Sequence, residues 1–189
     1  MLRPRVLVAV SDGSEEIEAV AVIDVLRRAE VAVTVARVPS AAGAGQEVLA
    51  SRGVRLGTDR PIAACTAESW DAIVLPGGMP GAEHLRDDTD LLGLLRRQVA
   101  ERRLVAAICA APAVVLAHHG LLHGRQATCF PGMRHLLPVG SRNDGRVVID
   151  GGLVTSQGPG TALEFAVVLV GLLCGDEVRE RVAAGLLLR

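Results

Sequence analysis

Four short apolar runs constrain the fold of this chain most: "RVLVAV" at Arg5–Val10, "VAVTVARV" at Val31–Val38, "WDAIVL" at Trp70–Leu75 and "LVAAI" at Leu104–Ile108. Each is rich in β-branched or small residues and is the length of a strand. The last is apolar throughout, the pattern of a strand buried on both faces. Helical stretches intervene over Glu15–Arg28, on both sides of Asp88 with the longer running to about Arg102, and over Ala113–His119. Strand alternating with helix is the signature of an α/β fold, an open and mainly parallel sheet with helices on both faces. Val48–Leu56 holds one or two further short strands, and "DGRVVIDGGLVTS" reads as a hairpin about Asp150-Gly151-Gly152. Two C-terminal helices begin after "GPG" and at Asp176.

With 189 residues the chain is expected to form one domain, residues 1–189, burying roughly 70% of its unfolded surface, with no visible linker. The longest uncharged apolar run, Leu104–Ala117, has 14 residues and contains Pro112, too short and too broken for a membrane span. The apolar stretch Val6–Val10 is likewise too short for a signal peptide, so a soluble, cytoplasmic protein is expected.

A formal net charge of −1, scattered charges, 2% aromatics and no tyrosine argue against nucleic-acid binding, which needs a basic stripe and stacking rings. All 20 basic residues are arginine. The lack of lysine excludes Schiff-base chemistry and the Walker P-loop. Cys65, Cys109, Cys129 and Cys174 form no C-x-x-C pair, so neither a zinc site nor a thioredoxin-like motif is expected.

Three features fall where an α/β sheet binds ligands, at the carboxyl ends of strands. Cys109 sits between a buried strand and a helix that opens with Pro112, flanked by the small residues Ala107 and Ala111. That is the arrangement of a nucleophile elbow, and the helix end is expected to lower the thiol pKa. Against this stands the ordinary behaviour of free cysteine as a small buried hydrophobe. Glu15 and Glu16 are explained by the helix dipole, but Glu18 lies between Ile17 and Ala19 ahead of "VAVI", in a stretch too apolar to solvate it. Burial there would raise its pKa and make it a proton donor near neutral pH. Finally, "LPGGMPGA" is a Gly-rich turn matching no nucleotide fingerprint. Its paired glycines allow the Gly78 amide, with that of Ala110, to form an oxyanion hole beside the sulfur.

The motifs "RVLVAVSDGSEEIEAV", "DVLRRA", "VLPGGMPGA", "AAICAAP" and "TSQGPGTALEFA" occur in order and run nearly end to end. Together they resemble the ThiJ/PfpI superfamily, in the branch of the Parkinson-disease protein deglycase and its bacterial relatives. The resemblance implies a flavodoxin-like α/β sandwich that forms a homodimer. It also implies Cys109 as nucleophile, Glu18 as its carboxyl partner, Gly78 and Ala110 as oxyanion-binding amides, and no metal or organic cofactor. The chain departs from the family pattern in three places. Ala110 stands where the protease-like branch has a histidine, which counts against a Cys-His peptidase. Phe130 in "TCFP" replaces a histidine, and Gln157 replaces an arginine. His84, His118, His119, His123 and His135 read as surface or packing residues.

The activity implied is that of a glyoxalase or deglycase acting on 2-oxoaldehydes such as methylglyoxal, or on their early adducts. The rival is a redox-responsive stress protein or chaperone read through oxidation of Cys109, with a thiazole-biosynthesis role weaker still. A first helix apolar on more than one face supports dimerisation.

Overall fold

The computed structural model describes residues 3–40 and 45–188. It contains β1 (Arg5–Val10), α1 (Glu16–Arg28), β2 (Ala32–Arg37), β3 (Glu47–Leu49), β4 (Arg55–Gly57), β5 (Arg60–Pro61), β6 (Ala72–Leu75), α2 (Gly81–Asp87), α3 (Thr89–Ala100), β7 (Leu104–Ile108), β8 (Val147–Asp150), β9 (Leu153–Ser156), α4 (Ala162–Cys174) and α5 (Asp176–Gly185). Part of the loop between Val38 and Val48, residues 41–44, lies outside the described residues.

Seven strands form one sheet in the order β5-β2-β1-β6-β7-β9-β8. Every pairing is parallel except β8 with β9, whose register sets Asp150 opposite Leu153 across the Gly151-Gly152 turn. The flavodoxin-like architecture follows from period-two alternation. Val6, Val8 and Val10 of β1 face one core with α1 and α4, while Leu7 and Ala9 face another with α2 and α3. Since both faces are covered, β7 has no solvated side, and Val105 to Ile108 are all buried.

Some elements differ from what periodicity predicts. β3 and β4 form a separate antiparallel hairpin, and β5, a two-residue edge strand beside β2, carries too short a pattern to be read. After Cys109 the chain winds as a π-helical turn over Pro112–Ala117 instead of an α-helix. Pro112 has no N–H to give the ladder, and such wide turns concentrate at functional sites.

The sheet order positions the site. From β1 the chain moves through α1 to β2 on one side, and later returns to β6 on the other. The reversal leaves a crevice at the carboxyl ends of β1 and β6, with the end of β7 alongside. Among the described residues, no helix is long and apolar enough to cross a membrane.

Candidate active site

Cys109 directly follows β7. Its N–H donates to the Ser156 carbonyl at 2.9 Å, which prolongs the pairing with β9 by one step. The backbone then turns sharply: φ at Cys109 is 63°, in the left-handed region that costs a non-glycine residue roughly 1–2 kcal/mol. The Cys109 carbonyl accepts from the Phe130 N–H at 2.8 Å, so both backbone groups are held while the side chain stays half-buried. Ala107 and Ala111 are wholly buried, leaving the turn no room for larger neighbours.

Glu18 reaches the same place from α1. Glu15 caps this helix, its carboxylate accepting from the Glu18 N–H at 2.8 Å. The Glu18 side chain is completely buried, and its Oε2 accepts from the Gly77 N–H at 2.7 Å. Sequence reading singled out Gly78 in the paired glycines, but Gly77 is equally necessary. A Cβ at Gly77 would lie 2.7 Å from the Cys109 Cβ, 2.8 Å from the Ala110 nitrogen and 3.1 Å from Glu18 Oε2. Gly78 has φ +85°, and a Cβ there would lie 2.4 Å from both the Glu15 nitrogen and the Gly13 carbonyl oxygen. The β1 and β6 loops therefore meet backbone against backbone, locked by Glu15 N–H donating to the Gly77 carbonyl at 2.9 Å.

The backbone amides of Ala110 and Gly78 favour the charged form of the Cys109 sulfur. The thiol nevertheless moves opposite to the expectation from a helix end. Burial, then the charge of Glu18 and its acceptance of the thiol hydrogen, push Cys109 up to about 12, outweighing the two amides. Glu18 rises from an ordinary 4.5 to about 7, chiefly through burial with a contribution from Glu15; the Gly77 and Cys109 hydrogen bonds oppose the rise. Glu18 disfavours ionisation of the thiol, whereas the neighbouring thiol favours ionisation of the carboxyl. The pair titrates as a unit, and the carboxyl is the member poised near neutrality.

Glu16 corrects the sequence reading in another way. It is not a solvated dipole residue: it is buried, accepting from Ser51 Oγ at 2.9 Å and the Arg52 N–H at 2.8 Å. Burial pushes its carboxyl up, but these bonds and others from its own and the Val54 amides hold it below the ordinary range. It fastens the β3–β4 hairpin to the start of α1. Nothing in local composition separates this role from that of Glu15.

Phe130 stands beside the site without supplying a proton-transfer group. Its ring is 45% exposed and flanks Gly158, whose added Cβ would lie 3.7 Å from Phe130 Cδ2 and 3.9 Å from Cys109 Sγ. Gln157 is turned away, its Nε2 donating to the Asp144 carbonyl at 3.1 Å. No histidine hydrogen-bonds Cys109 among the described residues. His84 Nδ1 lies 3.0 Å from the Asp12 carbonyl and 3.2 Å from Ser11 Oγ, and His119 Nε2 lies 2.7 Å from the Arg86 carbonyl. Cys65 and Cys129 are buried in the core on the α2 and α3 face, whereas Cys109 packs against the opposite one. Cys174 lies at the end of α4. Among the described residues, no group of three or more His, Cys, Asp or Glu is arranged to hold a metal ion.

The model of the DJ-1/PfpI family matches residues 4–172. The chain is 47% identical over 174 residues to Protein DJ-1 homolog B of Arabidopsis thaliana, covering 92% of this chain and 39% of that protein. It thus spans less than half the length of this plant relative. It is 35% identical over 168 residues to the glutathione-independent glyoxalase DJR-1.2 of Caenorhabditis elegans, covering 88% of this chain and 86% of the relative. Among solved structures, oxidized Toxoplasma gondii DJ-1 superimposes with a TM-score of 0.94 at 45% identity, with 98% of each chain covered.

Proposed function

Given that the chain belongs to the DJ-1/PfpI family, we propose that it is a cofactor-independent glyoxalase or deglycase using Cys109 as nucleophile and Glu18 as proton shuttle. The observation carrying this reading is the buried Glu18 carboxyl, poised at about 7 and placed so close to Cys109 that a Cβ on Gly77 would lie 2.7 Å from the Cys109 Cβ and 3.1 Å from Glu18 Oε2. A relative named as a glutathione-independent glyoxalase supports the same class of reaction.

With a 2-oxoaldehyde such as methylglyoxal, Cys109 sulfur attacks the aldehyde carbon as its proton passes to Glu18. Transfer during attack is needed because a thiol pushed up to about 12 supplies little free thiolate at neutral pH. The aldehyde oxygen becomes the hemithioacetal oxygen, with the Gly78 and Ala110 amides facing the charge that develops there. Glu18 hands the thiol proton to that oxygen, then takes the hydrogen from the aldehyde carbon and returns it to the neighbouring ketone carbon, while the hydroxyl proton of the first carbon passes to the ketone oxygen. The first carbon is thereby oxidised to a thioester and the second reduced to an alcohol. Water cleaves the thioester, releasing a 2-hydroxy acid and restoring the thiol, so the sum is oxoaldehyde plus water with no external oxidant. For early adducts of amines or thiols, the same attack would follow loss of the adduct's leaving group.

Steady consumption of methylglyoxal with lactate appearing, abolished in Cys109→Ala, is the expected outcome. A single stoichiometric adduct per chain without lactate would reject turnover. One observation favours a redox role as a second reading. Cys109 is half-buried, and a carboxyl and two backbone amides act on its sulfur, the groups that would hold the oxygens of an oxidised sulfur.

A further inference from the structure

At the opposite end of β7 from Cys109 lies a cavity of about 290 Å³ that the chemistry above leaves unused. Val105 lines it, four residues before Cys109, so the two sites are separated by about 13 Å of strand at the usual rise. Its apolar wall includes Leu116, Leu121 and Leu153, contributed by the π-helical turn, the segment after it and β9. Among the described residues its charged lining consists of Arg102, Arg103 and Arg125 and contains no acid.

Two of these arginines are already engaged. Arg103 Nε donates to Gln98 Oε1 at 2.8 Å and the guanidinium also pairs with Glu101. Arg125 Nη1 donates to Asp150 Oδ1 at 3.2 Å, and Gly151 leaves it room, since a Cβ there would lie 2.7 Å from Nη1. Arg102 has no side-chain partner among the described residues, and its φ of 55° is a left-handed conformation that favours glycine. A basic residue just past α3 complements the helix dipole. That accounts for an arginine at position 102 or 103. It does not account for Arg125 arriving from another segment, or for the apolar wall below.

We propose that this cavity binds a small organic monoanion, a carboxylate on a short apolar tail. The tail would lie against Leu116, Leu121 and Leu153 and the carboxylate would take charge-assisted hydrogen bonds from Arg102. Because Arg103 and Arg125 are already balanced by Glu101 and Asp150, the Arg102 charge is what remains for a ligand, and the added charge needed by the cavity is one negative.

The test is a nitrogen-15 NMR titration of the full chain with octanoate, and in parallel with 1-octanol. Octanoate is expected to give saturable shifts at the amides of Leu121, Gly151 and Gly152 while those of Gly77, Gly78 and Ala110 stay still. It is expected to bind about tenfold more tightly than octanol, and Arg102→Gln should weaken it about tenfold, the worth of one charge-assisted hydrogen bond. Shifts that do not saturate, shifts centred on the Cys109 loops, or equal affinity for octanol and octanoate would each overturn the proposal. Unchanged octanoate affinity in folded Arg102→Gln would do the same. Should that variant not fold, the comparison of the two probes on the unaltered protein decides the matter.

Discussion

Replacing Glu18 with glutamine should make the folded protein more stable at alkaline pH while removing its activity. Folding raises the carboxyl from 4.5 to about 7. Below 4.5 the group is protonated in both the folded and unfolded chain and costs nothing extra. Between 4.5 and 7 the unfolded chain has released its proton and the folded one has not, so stability falls as pH rises through this window. Above 7 both are ionised and the full cost is present. At about 1.4 kcal/mol per pH unit, the difference between 4.5 and about 7 amounts to about 3 kcal/mol.

Glutamine keeps the shape and can still accept the Gly77 N–H with its Oε1, but its amide must find a partner in a fully buried position. Taking about 1 kcal/mol for an imperfect bond, Glu18→Gln should be about 2 kcal/mol more stable than the parent at pH 8 and no more stable at pH 4.5. Urea unfolding of both proteins under reductant, at equal concentration across this range, measures the difference directly. The Cys109 thiol does not confuse the result below pH 8, because its ordinary value of 9.0 and its folded value of about 12 both lie above the window. A stability difference that stays constant with pH would show that Glu18 is not carrying a buried, costly charge, and the argument for its poised proton would fail with it.

Gly77→Ala should lower stability by about 1–3 kcal/mol and activity much further, because the new methyl meets Cys109 and Ala110 at under 3 Å and neither backbone can yield without moving the other; urea unfolding beside methylglyoxal assays separates the two losses. Mild peroxide should add two oxygens selectively at Cys109, since Cys129 packs on the other face of the sheet with its thiol directed at the Phe130 carbonyl; a Cys109–Cys129 disulfide as the main product in peptide maps would refute this. Glu18→Leu, which removes the hydrogen-bond donor, should shift that product toward sulfenate. Sedimentation at micromolar concentration should show a dimer that Val20→Glu dissociates, because Ile17 and Val20 leave an apolar strip exposed on α1 beside exposed Leu49 and Val54 in the adjoining hairpin segment; a monomeric parent would reject it. Asp24 and Arg28 are engaged with each other at 2.7 Å, so this contact is expected to be apolar at its centre.

The alternation of "RVLVAV", "DAIVL" and "LVAAI" with amphipathic segments determines the sheet, because strand periodicity and burial are properties of neighbouring residues along one chain. The same local logic marks Cys109 as the joint between a buried strand and a turn, and Glu18 as a carboxyl with no apolar excuse. It misreads Pro112–Ala117, because a π turn and an α-helix carry the same composition, and it assigns Glu16 to solvent because its partners Ser51 and Arg52 lie far along the chain. Tertiary structure alone decides that Glu18 faces Cys109, since this depends on β6 lying between β1 and β7 and on Gly77 letting the two loops touch. It also decides the direction of the thiol pKa. A helix end is a local favourable charge, but burial and a carboxylate brought in from α1 are stronger at close range, so in the proposed reaction the cysteine would depend on its partner taking the proton and not on the turn it occupies.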